Sequence, residues 1–269
     1  MNDFSVLMSI YSKTKLSHFE ECLDSISNQT LLPTEVIIVQ DGHLDYDINL
    51  IVSKHDKLKI TIVVNDKNLG LPLSLNKGLT FCSHDIVFRM DSDDICYLNR
   101  FQLQFDKFIN NKKLAILGTN VELIDEDSNQ LPNFRSVPIS DRDIRKLIFY
   151  KNPFNHPSIV FRKSVIISVG GYSDVFLYED WYLWFKLSRI KDIEFENTDQ
   201  KLLKYRIRTF VDRKGFKIIK AEFNFYLLLY KNRYIKLDVF LLNIVIKFFI
   251  RILPKRFYSI FKHRFDNIK

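Results

Sequence analysis

The first ninety or so residues alternate nearly unbroken apolar runs with stretches whose apolar positions recur at the helical period. Residues 4–10, 35–39, 59–64 and 85–90 read as strands, because continuous Val/Ile runs of this length suit strands buried on both faces. Between them, residues 17–28 place Phe19, Cys22, Leu23 and Ile26 on one helical face, and residues 71–81 read as a second helix. Strands separated by helices predict an α/β fold with a mostly parallel central sheet flanked by helices. In such sheets the ligand crevice lies outside the carboxyl ends of the strands. Tyr11, Asp41, the loop 65–70 and Asp91 all fall at those ends.

The second half is less regular. Residues 114–123 supply further strand, 141–150 a helix, and the loop 152–157 delivers His156 just before a strand over 158–161. Gly170-Gly171-Tyr172 is a turn, and Glu179-Asp180 opens an aromatic helix containing Trp181 and Trp184. The pattern divides the chain into an α/β body over 1–215, with halves 1–95 and 96–215, and a basic amphipathic helical tail over 216–269. In the tail, Lys236, Asn243, Lys247 and Arg251 fall near one line of a helix over 235–253 whose other positions are mostly Val, Ile, Leu or Phe. A membrane span would bury those cations at about 2.5–3.5 kcal/mol each, so a helix lying in the interface is expected, the alternative being a helix packed on the body with its basic side in solvent. Pro254 ends the segment, and Lys255, Arg256, Phe257, Tyr258, Phe261, Lys262, Arg264 and Phe265 repeat the basic-aromatic theme.

Charge sharpens this picture. The chain of 269 residues carries +8 overall, yet residues 201–269 hold 18 Lys/Arg against 4 Asp/Glu and the rest 22 against 28. A mildly acidic body with a basic tail implies an acidic partner surface, either anionic lipid or nucleic acid. Because the cations are confined to the tail while the crevice is acidic, lipid is expected and nucleic acid is not. Three cysteines without metal-ligand spacing point to a reducing compartment, and residues 1–4 lack a secretory layout, so a cytoplasmic location is expected.

The chemistry lies in two acidic clusters, Asp91-Ser92-Asp93-Asp94 at a strand end and Glu179-Asp180 at a helix start. Carboxylates can hold a divalent cation through hard oxygen ligands, and a separate carboxylate can act as a base. Group transfer from a diphosphate-activated donor needs both. Nucleotidyl transfer onto a sugar phosphate is a competing class, but it calls for a glycine-rich loop after the first strand. Residues 9–14 contain no glycine.

An ordered set of motifs over roughly residues 3–190 resembles the inverting glycosyltransferases of family 2, with their GT-A nucleotide-sugar fold. The pieces are Ser9-Ile10-Tyr11, Cys22-Leu23-Asp24-Ser25-Ile26, Gln40-Asp41-Gly42, Asn68-Leu69-Gly70-Leu71 and Leu75-Asn76-Lys77-Gly78-Leu79. They continue with Arg89-Met90-Asp91-Ser92-Asp93-Asp94, His156-Pro157-Ser158 and Glu179-Asp180-Trp181. The chain is similar, more narrowly, to bacterial enzymes that build O-antigen or capsule units on a lipid carrier.

The resemblance implies roles. Asp93 would bind Mn²⁺ or Mg²⁺ on the donor diphosphate, with Asp91 at the ribose or the metal's water shell. Asp41 would meet the base of a uridine nucleotide, Tyr11 would lie against the ring, and Asn68 and Gly70 would shape the loop beneath it. Lys77 either adds positive charge there or is an exposed helical lysine. Asp180 is the expected catalytic base, with Glu179 the alternative, both kept ionised by the helix dipole. His156 either binds acceptor or donor phosphate or is structural. Trp181 and Trp184 line an acceptor sugar site or, for Trp184 especially, fill the core. Arg206, Arg208 and Arg213 either meet a substrate diphosphate or are solvated charges. The implied reaction moves a hexose, galactose or glucose, from a UDP-sugar to a GlcNAc- or GalNAc-diphospho-polyprenol with formation of a β-linkage, at the cytoplasmic face of the inner membrane.

Overall fold

The computed structural model describes residues 3–207 and 216–252, with side chains through Phe248. The expected alternation opens the chain: β1 (Ser5–Tyr11), α1 (Leu16–Ser27), β2 (Glu35–Asp41), α2 (Asn49–Val52), β3 (Ile60–Asn65), α3 (Leu71–Phe81) and β4 (Ile86–Arg89). These four strands are parallel and ordered β3-β2-β1-β4. Because β1 is buried on both sides, it sends Val6, Met8 and Ile10 into one apolar cluster and Leu7 into another. The order reverses at β1, the position where a crevice opens between strand ends.

The second half follows as β5 (Ile95–Cys96), α4 (Arg100–Ile109), β6 (Leu114–Ile124), β7 (Gln130–Arg135) and α5 (Asp141–Leu147). A 3-10 turn at His156–Ser158 leads into β8 (Val160–Arg162), α6 (Lys163–Ser168), α7 (Glu179–Leu187) and β9 (Glu194–Arg206). These strands extend the same sheet as β4-β8-β6-β9-β5, with β7 on β6. Here the pairing is mixed: β8 is antiparallel to β4 and β6, whereas β6 and β9 are parallel. The sheet is therefore parallel in its first half and mixed in its second.

Helices α8 (Phe216–Lys231) and α9 (Leu237–Ile252) close the described chain. Phe225, Tyr226, Leu229 and Ile235 join the cluster that contains Trp181 and Trp184, so this segment is packed on the body. The orientation of α9 departs from the expectation of a basic side turned to solvent. Its polar line faces the protein: Asn243 is 1% exposed and the Lys247 ammonium lies 5.8 Å from the centre of the Trp181 ring. Its apolar row, Leu237, Leu241, Val245 and Phe248, faces outward at 49–53% exposure. Among the described residues no helix is long and apolar enough to cross a membrane. The basic-aromatic residues beyond Pro254, together with Arg208 and Arg213, lie outside the described residues.

Candidate active site

The ends of the first three strands form a continuous shelf. Register aligns Tyr11 with Asp41 and Asp41 with Asn65 across neighbouring strands. Asp41 is buried and its carboxylate organises the adjoining loop: Oδ1 accepts from the Leu69 N–H at 2.7 Å and from Asn65 Nδ2 at 2.9 Å, and Oδ2 accepts from the Gly70 N–H at 2.9 Å. Asn68 Nδ2 donates to the Asp41 carbonyl at 3.4 Å. Asp41 thus shapes the shelf by holding loop 65–70. Lys77 donates to the Val64 carbonyl at 2.7 Å and so ties α3 to β3. It does not reach the acidic clusters.

Gly42 makes this shelf sterically possible. Its φ is +87°, and a Cβ there would stand 2.8 Å from the Asn68 backbone nitrogen. Neither conflict can be relieved by a side-chain rotation. Gly42→Ala should lower the thermal midpoint, by an amount corresponding to about 1–3 kcal/mol, and weaken UDP affinity with it. An unchanged melting curve would contradict this account of the turn.

The acidic turn after β4 is pinned from beneath. Cys22 Sγ donates to the Asp91 carbonyl at 3.4 Å, Arg206 Nε donates to the Asp93 carbonyl at 2.8 Å, and the Arg206 N–H donates to Asp94 Oδ1 at 2.9 Å. Arg206 also pairs with Glu21 at 2.5 Å. It is therefore a structural clamp on the turn rather than a phosphate ligand. Asp94 is buried, and burial together with Asp91 and Asp93 pushes its carboxyl well above the usual range. Asp91 and Asp93 are better exposed than Asp94 and supply the hard oxygen donors of the turn.

Arg89, the last residue of β4, joins the two acidic clusters. It is 2% exposed and forms an ion pair with Asp91. Among the described residues its Nε and Nη1 meet no hydrogen-bond acceptor. It draws down the pKa of Asp180, of Glu179 and of the Tyr172 hydroxyl, and it helps hold His156 neutral. Fully buried Arg100 fixes its position by donating to the carbonyls of both Arg89 and Pro157 at 2.9 Å, which locks β4 to the 3-10 turn.

The second cluster stands opposite. Asp180 Oδ2 accepts from Asn152 Nδ2 at 2.6 Å, and Oδ1 accepts from the Trp181 N–H at 2.6 Å, so the carboxylate is held in one orientation. Burial raises the Asp180 pKa, against the pull of Asn152, the Trp181 N–H, Arg89 and Arg135. Burial, then repulsion from Asp180, pushes Glu179 up to about 7. The helix dipole therefore does not dominate: desolvation outweighs it at both positions. Charge at Asp91 is felt at Glu179 as well, so the two acid clusters lie within electrostatic reach of each other.

The remaining candidates belong to the framework. His156 Nε2 lies 2.9 Å from the Tyr172 hydroxyl, and burial, then Arg89, keeps its pKa well below the usual imidazole value. Tyr172 is fixed in turn by Asn76, which bonds both its N–H and its carbonyl at 2.8 Å. Trp181 is buried, donates to the Ile148 carbonyl at 2.8 Å and packs against Phe225 at 4.9 Å. Trp184 is fully buried. Neither tryptophan lines an open sugar site. Arg89, Asn152, Arg135 and Tyr172 are site residues to which sequence reasoning gave no role. Arg89 alone carried a signal, since it begins the quoted acidic motif.

Comparison with known proteins agrees with this arrangement. The family model described as "Glycosyl transferase family 2" matches residues 5–170. A UDP-Gal:alpha-D-GlcNAc-diphosphoundecaprenol beta-1,3-galactosyltransferase of Escherichia coli is 38% identical over 261 residues, 94% of this chain and 93% of that protein. The amylovoran biosynthesis glycosyltransferase AmsE of Erwinia amylovora is 35% identical over 83% of this chain and 84% of its own. Among solved structures, S. aureus TarS 1–349 in complex with UDP-GlcNAc aligns with a TM-score of 0.61 at 18% identity, over 84% of this chain and 66% of TarS 1–349. The mannosyltransferase PcManGT of Pyrobaculum calidifontis, in complex with GDP-Man and Mn2+, aligns at 0.60 and 16% identity, over 91% and 69%. A sheet whose strand order reverses beside two facing acidic clusters, a family match across most of the chain and relatives similar along nearly its whole length lead to one assignment: this chain belongs to glycosyl transferase family 2.

Proposed function

We propose that the protein is an inverting hexosyltransferase that moves galactose or glucose from a UDP-sugar to a GlcNAc- or GalNAc-diphospho-polyprenol, forming a β-linkage in O-antigen or capsule assembly at the cytoplasmic face of the inner membrane. The observation that carries the reading is the buried Arg89, ion-paired with Asp91 and close enough for its charge to lower the pKa of Glu179 and Asp180. A donor diphosphate on one side and an acceptor hydroxyl on the other need these two groups of acids at one crevice. The Escherichia coli relative, whose name specifies such a donor and acceptor, supports the choice of substrates.

In this reading the strand-end shelf takes the uridine, with Tyr11 against the ring and loop 65–70 beneath it. Asp93 and Asp91 would hold a Mn²⁺ or Mg²⁺. Among the described residues no three metal-ligating side chains cluster, and this fits an ion held by one or two carboxylates plus the donor's phosphates. When bound, that ion offsets the negative charge of the departing nucleoside diphosphate. Asp180, held by Asn152 and the Trp181 N–H, takes the acceptor hydroxyl proton as the oxygen attacks the anomeric carbon opposite the leaving UDP. Burial raises the basicity of Asp180. Arg89 keeps the pair ionised enough to accept the proton.

The test is transfer from a panel of UDP-sugars to synthetic GlcNAc- and GalNAc-diphospho-lipids, with and without Mn²⁺. One donor–acceptor pair should give a β-linked product, and no transfer from any UDP-sugar would reject the reading. Asp93→Ala should abolish the Mn²⁺-dependent part of UDP affinity in calorimetry. Equal UDP affinity with and without the substitution, in Mn²⁺, rejects the role given to Asp93.

A further inference from the structure

Helix α9 is apolar on its outer face as well as on the face that packs on the body through Val239, Phe240 and Ile244. Its Asn243 and Lys247 point to the body, while Leu237, Leu241, Val245 and Phe248 form an outward row. These positions fall at intervals of four, four and three residues, so they share one face. A water-facing helix normally presents the opposite arrangement. Beside its first turn lies a cleft of about 760 Å³ between the ends of α7 and α8 and the start of α9. Arg189, Lys231, Arg233 and Lys236 line it with Tyr230 and Tyr234, and among the described residues no acidic side chain does. The Arg189 guanidinium lies 5.3 Å from the centre of the Tyr234 ring and donates to the Arg233 carbonyl, which gives the cleft a built wall. The cleft and the apolar row meet at the first turn of α9, where Lys236 faces the cleft and Leu237 begins the row.

We propose that the cleft and the outward row of α9 form one docking surface for an anionic phospholipid leaflet, with headgroup phosphates in the cleft and the row in the acyl boundary. Charge selects this occupant: four cations without a lining carboxylate complement a phosphate surface, and an adjoining apolar row matches the depth to which interfacial helices sink. The proposal refines the membrane-facing part of the function above and rests on that part alone, not on the donor or acceptor.

The experiment is flotation of the full chain with vesicles of phosphatidylcholine, with and without phosphatidylglycerol. Wild type should float only with the anionic vesicles. Lys231→Gln, Arg233→Gln and Lys236→Gln combined should weaken that binding about a hundredfold, since each cation near an anionic leaflet contributes about 1 kcal/mol. Removing three exposed lysines elsewhere, by Lys57→Gln, Lys59→Gln and Lys112→Gln, should change it far less. Leu241→Gln with Val245→Gln should also weaken it. Equal losses in the two triple variants, or full binding by either cleft or row variant, would overturn the proposal. Each variant is assayed in parallel with a water-soluble diphospho-GlcNAc acceptor, on which activity should match wild type. Flotation without transfer by wild type would reject the enzymatic reading and leave the docking surface standing, whereas transfer without flotation would do the reverse.

Discussion

Asp180→Asn should lower transfer by roughly 10²-fold or more while UDP binds as in wild type. The reason lies in the hydrogen bonds that Asp180 accepts. Asn152 and the Trp181 N–H donate to its two oxygens, and neither contact reaches the nucleotide shelf. An amide in its place cannot take a proton, and its NH₂ would face one of the two donors. Donor binding depends on loop 65–70 and the turn after β4, which the substitution leaves alone. Initial rates with the diphospho-lipid acceptor, measured beside UDP calorimetry, separate the two effects. Retained turnover would transfer the base role to Glu179, and Glu179→Gln would then show the larger loss.

Arg89→Met should reduce transfer by about as much, but with a different signature. Arg89 draws the pKa of both Glu179 and Asp180 downward. Removing that charge raises both, so the acid limb of the rate profile should move to higher pH. Glu179 already stands at about 7, under burial, Asp180, Arg89 and Asp91, and activity in wild type should rise as the pH climbs through that value. Asp91, Tyr172 and Arg135 are further charged or titratable groups that act on the pair. Arg89→Lys should restore part of the rate and return the limb toward its original position. A limb that stays put in Arg89→Met would show that the guanidinium acts only as packing. The fold should weaken by less than the roughly 3–5 kcal/mol typical of a broken buried pair, because the Asp91 carboxylate is one-third exposed. Thermal unfolding of the Met and Lys variants checks this.

Sequence disclosed the first half of the fold because its strands are buried on both faces, so each is a self-evident apolar run. It disclosed the acidic turn because strand ends carry ligands. It did not disclose how β6, β8 and β9 pair: their direction is decided by contacts between segments far apart in the chain, and β9 alternates buried with exposed positions irregularly. Helix α8 falls inside the tail read as helical over 216–269, but no periodicity set its bounds, because its apolar residues are spread around much of the helix. Arg89 was visible as part of a motif, but its role depends on Arg100 and the 3-10 turn placing it within electrostatic reach of both acid clusters, and no local pattern encodes that. His156 and Trp181 looked like ligand contacts because polar and aromatic residues near acids invite that reading. Their partners, Tyr172 and the Ile148 carbonyl, make them part of the scaffold. In α9 only Asn243 and Lys247 of the expected line are seen to face the body, and Lys247 does so against Trp181.

Cys22, Cys82 and Cys96 are all buried, and burial raises each thiol, Cys82 to about 12. The folded enzyme therefore offers no thiolate to an alkylating reagent at neutral pH. A fluorophore or spin label can be attached at one engineered surface cysteine, for instance on the outward row of α9, without first deleting the native three. Cys22 in particular can remain in place, so the sulfur that supports the Asp91 carbonyl survives the labelling.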